Sequence, residues 1–224
     1  MGHPIVDTVL FDFDGTLVET ALDFAAMRRR VLALAAKCGI TPPEDLYILE
    51  MIAQAQRHLM ARQPGIAQPF VRKAERILVD IEVQGVARAQ PLFGVQETLT
   101  RLQEQGMKIG IVTRNCRLAV EQILARHALP HDLLLTRDDV VRVKPDPGHL
   151  LEALRMLESE PGQALMVGDH PMDILAGQRA GTRTAAITTT RTASGFAEVH
   201  PDWVIDQIPE LLGILPKAVT GRAP

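Results

Sequence analysis

The chain has 224 residues, enough to bury a substantial core either as one large domain or as a core with a smaller companion. A formal net charge of −3 and a pI near 6.2 give no reason to expect nucleic acid or an anionic membrane as partner, and no apolar run reaches the length of a membrane span. Cys38 and Cys116 are isolated thiols, outside any C-x-x-C spacing or disulfide framework.

Met1-Gly2-His3-Pro4 leads straight into a strand pattern, with no basic n-region or long apolar h-region, so a reducing, cytoplasmic location is expected. The strand Ile5-Val6-Asp7-Thr8-Val9 continues into Leu10-Phe11-Asp12-Phe13-Asp14-Gly15-Thr16-Leu17, with a tight turn at Gly15. Alternation along a strand sends Asp12 and Asp14 to the same side at its C-terminal end. Two carboxylates there repel each other, and a hard, oxygen-preferring cation such as Mg2+ is the commonest remedy. The alternative is a pair of acids in a solvent-exposed turn.

From Thr20 to Gln90 the pattern is helical throughout. Phe24, Met27, Val31, Leu34 and Cys38 recur at three- and four-residue steps, and Gly39 stands where a helix ends. Thr41-Pro42-Pro43 introduces a second helix marked by Leu46, Leu49, Ile52, Leu59 and Met60, which Pro64-Gly65 ends. Phe70, Ala74, Ile77, Leu78 and Ile81 mark a third. The Arg28-Arg29-Arg30 run within this stretch is predicted to be a solvated helix face, with anion steering as the lesser role. The whole segment has the pattern of a small helical bundle inserted into something else.

Beyond Pro91, strands and helices alternate. Val95–Gln105 is predicted as a helix stopped by Gly106, followed by the strand Lys108–Thr113, and Asn115 as the N-cap of a helix running to His127. Leu133-Leu134-Leu135 is a short buried strand. Asp146 as N-cap and Pro147 as first residue open a helix to Leu157. Ala164–Val167 is a strand ending at Gly168-Asp169, Pro171 opens a helix that Gly181 terminates, and Thr184–Ile187 and Trp203–Ile205 supply two more strands. Apolar strands alternating with helices predict an α/β, Rossmann-like parallel sheet covered on both faces. Ligands of such sheets bind outside the carboxyl ends of the strands.

Those ends carry Asp12 and Asp14, then Thr113, then Asp169 with Asp173 four residues on, and Lys144 lies on the loop after the third strand. Together they would form a metal-and-phosphate site: carboxylates for Mg2+, Thr113 and Lys144 for a phosphoryl group, and backbone N–H groups of the helix after Thr113 for an anion. Each also has a plainer reading. Thr113 fits an ordinary strand, Lys144 a surface, Asp169 a turn, and Asp173 the acid-favouring first turn of a helix. Their joint occurrence in this order is what the separate readings leave unexplained.

Asp-Phe-Asp-Gly-Thr-Leu at 12–17, Thr113 after an apolar strand, Lys144-Pro145 and Gly-Asp-x-x-x-Asp at 168–173 resemble the four motifs of the haloacid dehalogenase-like hydrolase superfamily. Among its members the chain looks most like the phosphoglycolate phosphatase group with a helical cap. The resemblance implies a catalytic core over 1–18 and 91–224 and a mobile helical cap over 19–90. It implies Asp12 as nucleophile, forming an aspartyl-phosphate, and Asp14 as general acid and base. Mg2+ would be held by Asp12, the Asp14 backbone carbonyl and Asp169, with Asp173 binding it directly or through a ligand that it holds. Thr113, Asn115 and Lys144 would contact the transferred group. Arg114, where related phosphatases carry small or amide residues, either touches substrate or points into solvent. Glu19-Thr20 departs from the commoner Asp-Ser at the hinge.

The expected activity is Mg2+-dependent hydrolysis of a small phosphorylated metabolite, phosphoglycolate-like or a sugar phosphate, by a monomer or homodimer. A sugar-phosphate mutase on the same fold is the nearest alternative, and a phospho-aspartate signalling module a more distant one. Such a module is shorter, lacks an inserted cap and has no use for Asp14. A phosphonate-cleaving relative would need a cap lysine, for which only Lys37 and Lys73 are present in the segment.

Overall fold

The computed structural model describes residues 6–43 and 45–215; the predicted entry of Met1-Gly2-His3-Pro4 into a strand lies outside the described residues. Strand β1 (Thr8–Phe11) is followed by a two-residue strand β2 (Val18–Glu19) and the helices α1 (Phe24–Lys37), α2 (Ile48–Arg62) and α3 (Pro64–Gly85). A second two-residue strand, β3 (Gln90–Pro91), precedes α4 (Val95–Glu104), β4 (Lys108–Val112), α5 (Arg117–Leu124), β5 (Leu133–Leu135) and α6 (Gly148–Met156). The order then runs β6 (Ala164–Gly168), α7 (Pro171–Ala180), β7 (Arg183–Ile187), β8 (Trp203–Ile205) and α8 (Leu211–Ile214). The chain divides into two compact units at Thr20/Ala21 and Arg88/Ala89.

The larger unit is built on a parallel sheet of order β5-β4-β1-β6-β7-β8. After β1 the chain adds β4 and then β5 on one side, and crosses to place β6 on the other. The sheet therefore switches direction beside β1, and such switch points open the crevice in which α/β proteins bind ligands. Phe11 pairs with both Ile111 and Val167, so the first residues beyond β1, β4 and β6 emerge within one residue of the same level. Strands β1, β4, β6 and β7 are buried along almost their whole length, which is why they are apolar runs without alternation. On one side, Leu10, Val112 and Met166 pack with Leu150, Ala153 and Leu154 of α6 and Ala176 and Ala180 of α7.

The smaller unit is a three-helix bundle. Met27, Val31 and Ala35 of α1, Met51, Ala55 and Leu59 of α2, and Phe70, Ala74 and Leu78 of α3 form one apolar cluster, so the three- and four-residue spacings identify the inner faces. Phe24 and Met60, assigned to the same stripes, are instead 59% and 52% exposed: Phe24 opens α1 ahead of its first buried residue, Met27, and Met60 follows the buried Leu59, a step of about 100° around the helix that turns it off the inner face. Leu46 precedes α2 rather than belonging to it. Pro64, expected only to end a helix, occupies the first turn of α3, where its missing N–H costs nothing. The arginine run splits in role: Arg29 and Arg30 are exposed, whereas the Arg28 guanidinium donates to the Leu46 carbonyl (2.7 Å). Lys37 and Lys73 are both exposed.

Two predicted caps are displaced by one residue. Cys116, not Asn115, is the N-cap of α5, because the Asn115 side chain is committed elsewhere, and α5 ends at Leu124 rather than near His127. Pro147, not Asp146, is the N-cap of α6, although Asp146 Oδ1 still accepts from the Gly148 N–H (2.8 Å). Leu133 and Leu134 are half-buried, β5 being at the sheet edge. The pair β2–β3, antiparallel with Val18 opposite Pro91 and Glu19 opposite Gln90, has no counterpart in the sequence reading.

Candidate active site

Asp12 follows β1, and its backbone N–H continues the ladder to the Val167 carbonyl (2.9 Å). Asp169 follows β6, and Asp173 lies in the first turn of α7. Each of the three carboxylates offers an oxygen within 4.8 Å of the others. Two glycines allow this crowding. Gly15 has φ of +81°, and a Cβ there would come within 2.5 Å of Asp169 Oδ2; a Cβ on Gly168 would overlap the Asp173 side chain.

Lys144 brings in the cation. Its ammonium donates to Asp12 Oδ1 (2.7 Å) and lies 2.8 Å from Asp173 Oδ1, with only 1% of the side chain exposed. Burial alone would lower its pKa, but the charges and hydrogen bonds of Asp12 and Asp173 overcome that and raise it, so it is a fixed positive charge. Asp173 Oδ2 accepts from the His170 N–H (3.1 Å), half of a capping box that His170 completes by accepting from the Met172 N–H at Nδ1 (3.1 Å). Asp169 accepts from Thr16 (3.2 Å to Oδ1) and from the Thr190 hydroxyl at Oδ2.

Even so, Asp169 and Asp173 are pushed above the ordinary carboxylate range, by burial first and by the neighbouring carboxylates next. A folded-state pKa raised above the unfolded value stabilises only below the latter, so at neutral pH these two acids cost the fold stability. Three converging carboxylates, all hard oxygen donors and electrostatically under-compensated by one lysine, fit a divalent cation such as Mg2+.

The remaining predicted residues surround this cluster. Asn115 Nδ2 donates to both Asp14 oxygens (3.3 and 3.1 Å), while its Oδ1 accepts from the Cys116 N–H (2.8 Å); this is the commitment that removes it from the N-cap. Thr113 is buried, and its hydroxyl oxygen accepts from the Asn115 N–H (3.1 Å), leaving the O–H to donate. The Arg114 guanidinium donates to the Lys144 carbonyl (2.7 Å) and to Met172 Sδ (3.4 Å). Asp12, Asp169, Asp173 and Lys144 thus form one ionic cluster, and Asn115 is hydrogen-bonded to Asp14.

A family model described as haloacid dehalogenase-like hydrolase matches residues 9–187, spanning the opening acid motif, the helical insertion and every strand to β7. The chain belongs to the haloacid dehalogenase-like hydrolases. A relative within the curated proteins, pyrophosphatase PpaX of Bacillus thuringiensis (strain Al Hakam), is 44% identical over 218 residues, covering 94% of this chain and 96% of its own. Among solved structures, a haloacid dehalogenase-like hydrolase from Bacteroides fragilis superposes with a TM-score of 0.68 at 26% identity, over 92% of this chain and 99% of its own. A hydrolase of the same superfamily from Geobacter sulfurreducens, subfamily IA, variant 1, has a TM-score of 0.60 at 20% identity, over 94% and 97%, a likeness of fold alone.

The sequence reading of this hydrolase missed three contributors. Thr16 stood inside the recognised motif without a role, although it bonds Asp169. Thr190 follows β7 at the same sheet end as the other motifs, so the strand-end rule applied once more would have found it. His170 carries no motif signal of its own; burial, then the charge of Arg191, holds it near a pKa of about 4, as a neutral ring whose Nδ1 is an acceptor.

Proposed function

We propose that the protein is a Mg2+-dependent phosphatase that hydrolyses a small phosphorylated compound through an aspartyl-phosphate on Asp12, with inorganic pyrophosphate as its foremost substrate. The observation that carries this reading is the convergence of Asp12, Asp169 and Asp173 on one point, with Lys144 bridging Asp12 and Asp173. Mg2+, held by Asp12, Asp169, Asp173 and the Asp14 carbonyl, would supply charge that lets an anionic carboxylate approach an anionic phosphoryl group.

The chain's own residues account for the rest. An Asp12 oxygen attacks phosphorus in line; the new O–P bond forms as the bond to the leaving oxygen breaks. Lys144 holds the orientation of the Asp12 carboxylate and neutralises charge on the transferred group. The Thr113 O–H donates to that group, and Asn115 and Arg114 border the same loop. Asp14, steadied by the Asn115 amide, donates a proton to the leaving oxygen and later takes one from the water that hydrolyses the intermediate.

The pyrophosphatase name of a relative 44% identical over nearly the whole chain favours a phosphoanhydride over the phosphoglycolate-like or sugar phosphomonoester expected at first. The test is release of inorganic phosphate from pyrophosphate, phosphoglycolate and hexose phosphates with Mg2+, for the wild type and Asp12→Asn. The reading expects pyrophosphate to give the largest kcat/KM, and Asp12→Asn to be inactive on all. Wild-type turnover by Asp12→Asn ends the mechanism; a phosphomonoester leading the panel changes the substrate and leaves the mechanism standing.

A further inference from the structure

The Lys144 ammonium sits within hydrogen-bond distance of two carboxylates far apart in sequence, Asp12 just beyond β1 and Asp173 in α7, although its backbone belongs to the connection between β5 and α6. That backbone is bolted from two sides. Arg114, just beyond β4, donates through Nη1 to the Lys144 carbonyl (2.7 Å), and Arg179, in the last turn of α7, donates through Nη1 to the Pro145 carbonyl (3.0 Å). Arg114 is itself held, since Arg137 Nη1 donates to its carbonyl (3.0 Å), and its guanidinium also reaches Met172 Sδ, one residue before Asp173. Carbonyls of two successive residues therefore each accept from a permanently charged, planar donor on a neighbouring element.

We propose that Arg114 and Arg179 are positioning residues that fix the Lys144 backbone so that its ammonium meets Asp12 and Asp173 together. The inference rests on the reading of Lys144 as the counter-charge to Asp12. A lysine side chain has four rotatable bonds, so two short contacts survive only if its Cα is held in place; displacement by about 1 Å breaks one of them, and misplacement of that size is enough to slow catalysis severely. Arg179 is exposed and acts from α7 through the Pro145 carbonyl, so its effect on turnover separates positioning from substrate contact.

Two measurements on Arg114→Met, Arg179→Met and Arg114→Lys test this. The first is steady-state kinetics of phosphate release. Arg114→Met is expected to lower kcat about tenfold, the equivalent of one hydrogen bond from a charged donor, with KM within about twofold. Arg179→Met should fall in the same direction by less, and Arg114→Lys, which keeps a cationic donor, should recover part of the loss. The second is acetylation of Lys144 by acetic anhydride, mapped by mass spectrometry. The buried amine of the wild type should be protected, and both Met variants should react several-fold faster.

A raised KM with unchanged kcat in Arg114→Met, or Lys144 as protected in both Met variants as in the wild type, overturns the proposal. Should Arg114→Met fail to fold, Arg179→Met carries both measurements. Lys144→Met run in parallel isolates the underlying reading. If it turns over like the wild type, the role given to Lys144 falls, while the acetylation rates still decide whether the arginines position it.

Discussion

Gly168 shows how little room the site leaves at the scale of a residue. The Asp173 side chain occupies the space where a Cβ on Gly168 would stand, and both Asp173 oxygens are engaged, one by Lys144 and one by the His170 N–H. The acid cannot swing aside, so Gly168→Ala is expected to cost about 1–3 kcal/mol in denaturant unfolding and to lower kcat with it. His149 makes a different prediction. It is wholly buried, and burial, then the charge of Lys144, lowers its pKa to about 3 against the weaker opposing effect of the Leu135 backbone. The unfolded chain therefore binds this proton first as pH falls. Its stabilising contribution is complete above pH 6.5 and lost on the way down towards pH 3, a loss on the order of 2 kcal/mol between pH 7 and 4.5. His149→Gln should show a smaller drop in Tm over that interval than the wild type. Asn115 marks what sequence conceals at this scale: capping and bridging use the same amide, and the partner that decides, Asp14, is 101 residues away.

Elements with several turns were legible, because their period repeats often enough to identify a face, and because Gly39, Gly106 and Gly181 punctuate their ends. What periodicity leaves out is where along a helix the buried face begins and which of two adjacent apolar residues turns inward, so Phe24, ahead of Met27, and Met60, beside Leu59, fall outside the inner faces. The contrast can be measured. Phe70, 2% exposed in the bundle cluster, is expected to cost about 3–4 kcal/mol on replacement by Ala, whereas Met60→Ala should stay within about 0.5 kcal/mol. Equal losses from both, read by chemical denaturation, would contradict the packing described. Strands of two residues, such as β2 and β3, offer no alternation to detect and exist only through each other.

For the whole molecule, the alternation of strands and helices conveyed a parallel sheet, but not its order. That β4 and β6 both flank β1 depends on pairings across about a hundred residues or more of chain, beyond any local signal. The order nevertheless gathers the acids, and a global consequence follows. A cation that binds only the folded chain stabilises it by mass action, so Mg2+ at about a hundred times its Kd should raise stability by about 2.7 kcal/mol. Thermal melts with and without Mg2+ should differ accordingly for the wild type and much less for Asp169→Asn; identical melts of the wild type would remove the metal from the reading.

The β2–β3 pair has a consequence for how such a chain can change. It joins Val18 to Pro91 and Glu19 to Gln90, so the helical insertion departs and returns through neighbouring backbones, about 5 Å apart as antiparallel partners are. To the sheet, everything between them is equivalent to the tip of a hairpin. A graft of any length or content, provided its ends meet, leaves the register of β1 against β4 and β6 untouched. Descendants of this chain can thus exchange the insertion wholesale while inheriting the acid cluster unaltered.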